Sequence, residues 1–120
     1  MESWEELKVW QKAHNLVLEI YKLTAAFPSA ERFRLVDQLC RAASSIPANI
    51  VEGQARQTTK EYIHFLYNAR GSLEETRYHL LLAKDLKLLD SDEYARLEED
   101  YKAVSKMLNG LIQSLRRKED

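Results

Sequence analysis

Glu61-Tyr-Ile-His64 sets a carboxylate and an imidazole three residues apart, the spacing with which helical bundles hold metal ions. A di-metal centre needs that pair on two helices and a further Glu from each of the other two, and here it occurs once. Thr58 and Glu61 also have the spacing of a capping box, so Glu61 reads first as a helix-start residue. His14 falls on an apolar helical line and reads as a core or interface histidine, His79 as a surface or interface one. Cys40, between Val36 and Ala43 on another such line, reads as a packing thiol rather than a nucleophile. A single cysteine excludes an intrachain disulfide and fits a reducing compartment. There is no zinc-spaced Cys/His set, no Gly-rich phosphate loop and no Gly-x-Ser-x-Gly elbow. The acidic residues sit mostly at helix starts or on exposed faces, which indicates no working carboxylate pair. No catalytic residue, cofactor or metal ligand is therefore expected. The alternative is a small metal-binding or enzymatic bundle with its site in the core.

Arg34, Gln38, Arg41, Ser45, Asn49 and Glu52 recur at helical spacing and form a polar stripe with three readings. It is a solvated face, or a hydrogen-bonded contact between subunits, which amides and hydroxyls mixed with charges would suit. The third reading is phosphate contact through Arg34, Arg41 and Arg56, with Lys60 and Arg70 nearby; such binding would be weak and salt-sensitive.

Four capped periodic segments must position these residues. Ser3 with Glu6 predicts a capping box opening the first helix, which Pro28 stops. Val9, Ala13, Leu16, Ile20, Leu23 and Phe27 form one apolar line on it, and Leu7, Trp10, His14, Val17, Tyr21 and Thr24 a second beside it. Ser29 caps the second helix, whose apolar face holds Leu35, Leu39, Ala42, Ala43, Ile46 and Ile50. Pro47 lies inside this helix, crowds the carbonyl of Ala43 and is expected to bend it; Gly53 reads as the C′ residue that ends it. Residues 54–57 connect to a third helix opening at Thr58, with the heptad-like seam Tyr62, Leu66, Ala69, Leu73, Thr76, Leu80 and Ala83. Gly71 falls within this helix, where close backbone contact would compensate its poor helix propensity. The pattern fades over 86–89 and restarts at Asp90 and Ser91 with Tyr94, Leu97, Tyr101, Val104, Leu108, Leu111 and Leu115. Acids at the start of this last helix and Arg116, Arg117 and Lys118 at its end complement the helix dipole. Short connections favour antiparallel neighbours, so the chain reads as an all-α, antiparallel up-down-up-down four-helix bundle, one domain over residues 1–120.

With 45% hydrophobic and 31% charged residues the chain is globular rather than disordered. Its net charge of −1 argues against broad attraction to nucleic acid. Divided at Pro28, Thr58 and Asp90, the four segments carry −1, +1, +1 and −2, so only the middle is mildly basic. The acidic N-terminus lacks the apolar run of a signal peptide, and no stretch is long enough to cross a membrane, which makes the cytoplasm the default. The double apolar line of the first helix and the polar stripe of the second offer more surface than one bundle consumes. A homo-oligomer is expected, with Trp10, Tyr21, Gln38, Arg41 and Asn49 nearest the subunit contacts.

Leu7-Lys-Val-Trp10, Phe27-Pro28, Gln38-x-x-Arg41-Ala-Ala, Ser45-Ile-Pro-x-Asn-Ile50, Glu52-Gly53 and Ala69-Arg-Gly-Ser-Leu73 with Glu75 resemble the bacterial four-helix bundle family, also called the 23S-rRNA intervening-sequence protein family. The match spans about residues 7–89; the last helix agrees by pattern alone. The resemblance implies a ring-like homopentamer and brings no catalytic residues to carry over. The chain is also similar to the accessory variability determinant of diversity-generating retroelements, a pentameric partner of reverse transcriptase and nucleic acid. Those relatives are strongly basic and this chain is not. The resemblance implies an accessory or scaffold protein, associated with RNA or DNA in those relatives, and the departure in charge argues against carrying that association over in full.

Overall fold

The seam of α3 shows why the chain folds as it does. In the computed structural model, which describes residues 3–119, Leu66, Ala69, Leu73, Thr76, Leu80 and Ala83 are all buried along one side of this helix, Thr59–Asp85. They meet Leu97, Tyr101, Val104 and Leu108 of α4, Ser91–Glu119, and the apolar faces of α1, Lys8–Thr24, and α2, Asp37–Gln54. Neighbouring pairs are α1–α2, α2–α3, α3–α4 and α4–α1, an up-down-up-down bundle about 48 × 24 × 20 Å in extent. Contacts between α3 and α4 fix the antiparallel sense: Tyr67 meets Arg116 near one end, and Arg77 meets Glu98 towards the other. No strand occurs among the described residues.

The N-cap at Thr58 and the capping box at Ser3 both form, with different consequences. Thr58 accepts from the Glu61 N–H at 3.1 Å and starts α3 as expected. Ser3 donates its N–H to Glu6 Oε1 at 3.1 Å, but this box opens a 3-10 turn over Trp4–Glu6, not the first helix. Leu7 is extended and α1 begins at Lys8, which lets Trp4 fold back edge-on to Trp10 at 4.8 Å. The other end of α1 also stops short of Pro28. Ala26 and Phe27 take i−3 hydrogen bonds to Leu23 and Thr24, and this tightened turn directs Phe27 into the core.

Ser29 does not cap a helix. It lies inside a 3-10 turn, Ser29–Glu31, followed by a π turn, Arg32–Val36, that runs directly into α2. The π turn holds extra chain per turn, so its side chains fall out of register with α2, and Phe33 points outward. Pro47 is buried within α2, and the helix continues across it.

Gly53 is not the end of α2 either. It is a buried helical residue, and a Cβ there would stand 2.8 Å from Phe65 Cβ and 3.2 Å from the Tyr62 carbonyl oxygen. Close approach of α2 to α3, not a left-handed cap, requires this glycine. Gly71 reverses the expectation the other way: it is exposed, with nothing within 4 Å of its notional Cβ. The α3–α4 turn is made without glycine. Lys87 takes φ 63°, and Leu88 N–H bonds the Ala83 carbonyl at 2.9 Å, closing the helix end. Asp90 Oδ1 then caps α4 through the Glu93 N–H at 2.8 Å.

Candidate functional site

Glu61 and His64 lie on the exposed side of α3, not in the bundle core. Glu61 is held by the Thr58 hydroxyl at 2.9 Å, and His64 stands edge-on to Phe65. Among the described residues no three or more His, Cys, Asp or Glu side chains are grouped to hold a metal ion. His14 stacks on Trp10 at 4.9 Å, nearly parallel. His79 bonds Glu75 through Nε2 at 3.3 Å. Cys40 is half-buried, with its sulfur 3.5 Å from the Thr24 hydroxyl, on the seam between α1 and α2.

The polar stripe of α2 divides along its length. Arg34 is exposed on the π turn, and Arg41 donates to the Gln38 side chain on the outer face. Asn49 belongs to the α2–α3 seam instead. Its amide donates to Ser45 O at 2.8 Å and Ser45 Oγ at 3.0 Å, and Ser72 Oγ donates to the same Ser45 hydroxyl at 3.0 Å. These hydroxyls and the amide satisfy one another across two helices, an arrangement that orders packing.

Of the expected contact residues on α1, Trp10 is half-buried in the Trp4–Trp10–His14 stack, and Tyr21 is 55% exposed. Leu18 at 57% and Phe33 at 84% are exposed as well. A hollow of about 380 Å³ lies between the end of α1 and the chain entering α2, lined in part by Tyr21, Phe27, Arg32, Val36 and Cys40. Sequence periodicity does not single out Leu18 or Phe33: Leu18 lies off both apolar lines, and the π turn displaces Phe33.

The basic residues separate into two groups. Arg34 and Arg41 sit near the start of α2, whereas Arg56 follows its end, on the order of 20 Å further along the axis. Arg56, Lys60 and Arg70 are brought together with the end of α4. Arg56 lies over the Phe65 ring at 4.5 Å and Arg70 over the Tyr67 ring at 4.8 Å. Arg116 Nη1 donates to the Tyr67 hydroxyl at 3.2 Å, and Arg70 Nη1 to Asn109 Oδ1 at 3.0 Å. Sequence alone assigns Arg116 and Arg117 to the helix dipole, because only tertiary packing joins residues 49 positions apart.

Elsewhere several charges are paired. Arg77 grips Glu98 with two hydrogen bonds, 2.8 and 3.0 Å, and reaches Glu74 at 3.0 Å. The bond from Arg77 lowers the Glu98 pKa from the usual carboxylate value, and the carboxylates raise that of Arg77. Burial raises the Tyr101 pKa; its hydroxyl has no hydrogen-bond partner among the described residues.

A profile of the 23S rRNA-intervening sequence protein family matches residues 5–110. The fold is similar to a solved protein of unknown function from the S23 ribosomal protein family of Bacteroides thetaiotaomicron. The TM-score is 0.78 and the identity 26%, covering 87% of this chain and 97% of the other. No curated protein matches the chain. Among the described residues no helix is long and apolar enough to cross a membrane. With the match spanning nearly the whole bundle and the fold shared by a solved relative, the chain belongs to the 23S rRNA-intervening sequence protein family.

Proposed function

We propose that the protein is a non-catalytic, self-assembling helical bundle, an accessory or scaffold in the cytoplasm whose contact with nucleic acid is weak and strengthened by assembly. The observation that carries this reading is the exposure of three large apolar side chains, Leu18, Tyr21 and Phe33, of which Tyr21 lines the hollow at the α1–α2 end. Burying a side chain of that size is worth about 1.5–3 kcal/mol, so a second copy covering the three would gain substantially. Such a contact between different surfaces of identical chains generates a ring when the rotation closes. The resemblance favours five subunits. A link to nucleic acid is supported by the family's description and by the basic end of the bundle. A ring repeats that end and raises its effective concentration, so avidity lifts a weak contact.

Light scattering tests the assembly. The expected mass is a multiple of 14.0 kDa, and Tyr21→Ser with Phe33→Asp should return a helical monomer. A wild-type monomer at micromolar concentration overturns the reading. Arg34→Ala with Arg41→Ala locates the polar stripe: dissociation places it between subunits, and an intact ring places it in solvent.

A further inference from the structure

The end of the bundle built from the first half of α3 and the last turns of α4 sets cations among aromatic rings. Lys60, His64 and Tyr67 stand at i, i+4 and i+7, sharing one line over about 10 Å of helix. Two hollows flank that line. One, of about 290 Å³, is lined by Lys60, Ile63, His64, Tyr67, Arg116 and Glu119. The other, of about 440 Å³, is lined by Arg56, Lys60, Glu61, His64 and Phe65. Lys60 and His64 border both, so the hollows adjoin as one furrow, with Phe65 in one wall and Tyr67 in the other. Residues 56–70 and 116–119 hold six cations against two carboxylates, Glu61 and Glu119. Among the described residues, none of Arg56, Lys60, Arg70 and Arg116 has a carboxylate within ion-pair distance. The arginines rest on rings or on neutral oxygens instead.

We infer that this furrow binds single-stranded nucleic acid, its cations meeting successive phosphates while Phe65 and Tyr67 offer faces on which unpaired bases stack. Cations interleaved with ring faces suit a single strand, because a duplex keeps its base faces inside the stack. Arg56 and Arg70 cover the rings when no base is there, and swing to phosphate when a base takes their place. The inference rests on the nucleic-acid half of the proposed function and moves the contact: Arg34 and Arg41, at the far end of α2, take no part.

Fluorescence anisotropy of a labelled oligouridylate, read across a salt series with the full chain in its native assembly, tests this. Lys60→Gln with Arg116→Gln should weaken binding about tenfold at low salt and flatten the log–log salt slope by about 1.4, the share of two phosphate contacts on a single strand. Tyr67→Leu should weaken binding with the slope unchanged, whereas Tyr67→Phe should bind as wild type. Arg34→Gln with Arg41→Gln should also bind as wild type, and a duplex of equal length should compete poorly. Light scattering and circular dichroism on each variant separate lost binding from lost assembly or folding. Full binding by the Lys60/Arg116 variant, or preference for the duplex, overturns the inference. Loss confined to the Arg34/Arg41 variant overturns the furrow and keeps the broader reading. Wild-type protein that retains no strand at low salt overturns both. If Tyr67→Leu fails to fold, the charge variant and Tyr67→Phe still decide.

Discussion

The two ends of the bundle use the same residue types differently. Towards the α3–α4 turn two arginines are gripped by carboxylates, although Lys84 there lies over the Tyr94 ring at 4.9 Å. Arg77 holds Glu98 and Glu74, and Arg96 holds Glu19 and Glu93 at 2.8 Å and Asp100 at 3.3 Å. At the α2–α3 end Arg56 and Arg70 lie on aromatic rings, and Arg116 on a phenol oxygen. Charge at the first end is spent on joining helices; at the second it is turned outward. The net charge of −1 averages the two and conceals both, which is why composition alone argues against nucleic acid. Where charges sit along a 48 Å molecule matters more than their sum.

The largest expected effect comes from the glycine beneath the aromatic end. Gly53→Ala forces a Cβ to 2.8 Å from Phe65 Cβ and 3.2 Å from the Tyr62 carbonyl, and neither is the far end of a flexible side chain. Overpacking typically costs about 1–3 kcal/mol, against which Ala regains up to about 1 kcal/mol of helix propensity. A net loss of about 1–2 kcal/mol in urea unfolding is expected from these opposing effects, with altered tyrosine fluorescence. An unchanged midpoint would show that α2 and α3 are not held at this distance.

Next comes the paired end. Arg77→Met leaves Glu98 half-buried beside α3 without its partner and should cost about 1 kcal/mol at neutral pH. Arg77 depresses the folded-state pKa of Glu98, so the pair's contribution is fully present above the ordinary carboxylate pKa. It is lost as pH falls below that value and through the folded-state pKa. Wild-type and variant stabilities should therefore converge at acid pH. A difference that persists there would assign the loss to packing of the arginine stem.

The fold was legible because the α3 and α4 seams repeat by three and four over long helices, and from Leu66 to Ala83 the α3 seam is buried where that period puts it; at its start Ile63 is buried and Tyr62 only half-buried. Helix ends were less legible. The capping box at Ser3 forms, yet Leu7 is extended and the helix begins only at Lys8, with Trp4 folded edge-on to Trp10. The π turn at Arg32–Val36 has no local signature, so the exposure of Phe33 was hidden. Gly53 and Gly71 exchanged roles because a glycine's neighbours are set by the other helices and not by its own. At the basic end Arg56, Lys60 and Arg70 were visible as charges. Arg116 and Tyr67 joined them only once α4 folded back along α3.

Gly71 sharpens the contrast from the other side. It is an exposed, helix-interior glycine with no neighbour, so Gly71→Ala should raise stability by up to about 1 kcal/mol through helix propensity alone. Light scattering should give the wild-type mass. A smaller assembly would instead place Gly71 against a second copy, where the close approach is made between subunits.

The smallest effect on stability is expected from the cations of the furrow. Lys60 and Arg116 hold no carboxylate among the described residues, and Arg116 makes one hydrogen bond to a phenol oxygen across the α3–α4 groove. Replacing both by Gln removes two charges from a locally basic surface, which relieves repulsion while losing that bond. The two effects oppose, and exposed substitutions of this kind usually fall within about 0.5 kcal/mol of wild type. Urea midpoints at low and high salt check it, because repulsion between exposed cations is screened by salt and the hydrogen bond is not. The double variant should match or slightly exceed wild type at low salt and fall level with or below it at high salt. A loss comparable to that of Arg77→Met would mean that this end, too, is held together by its charges, and the contrast between the two ends would be gone.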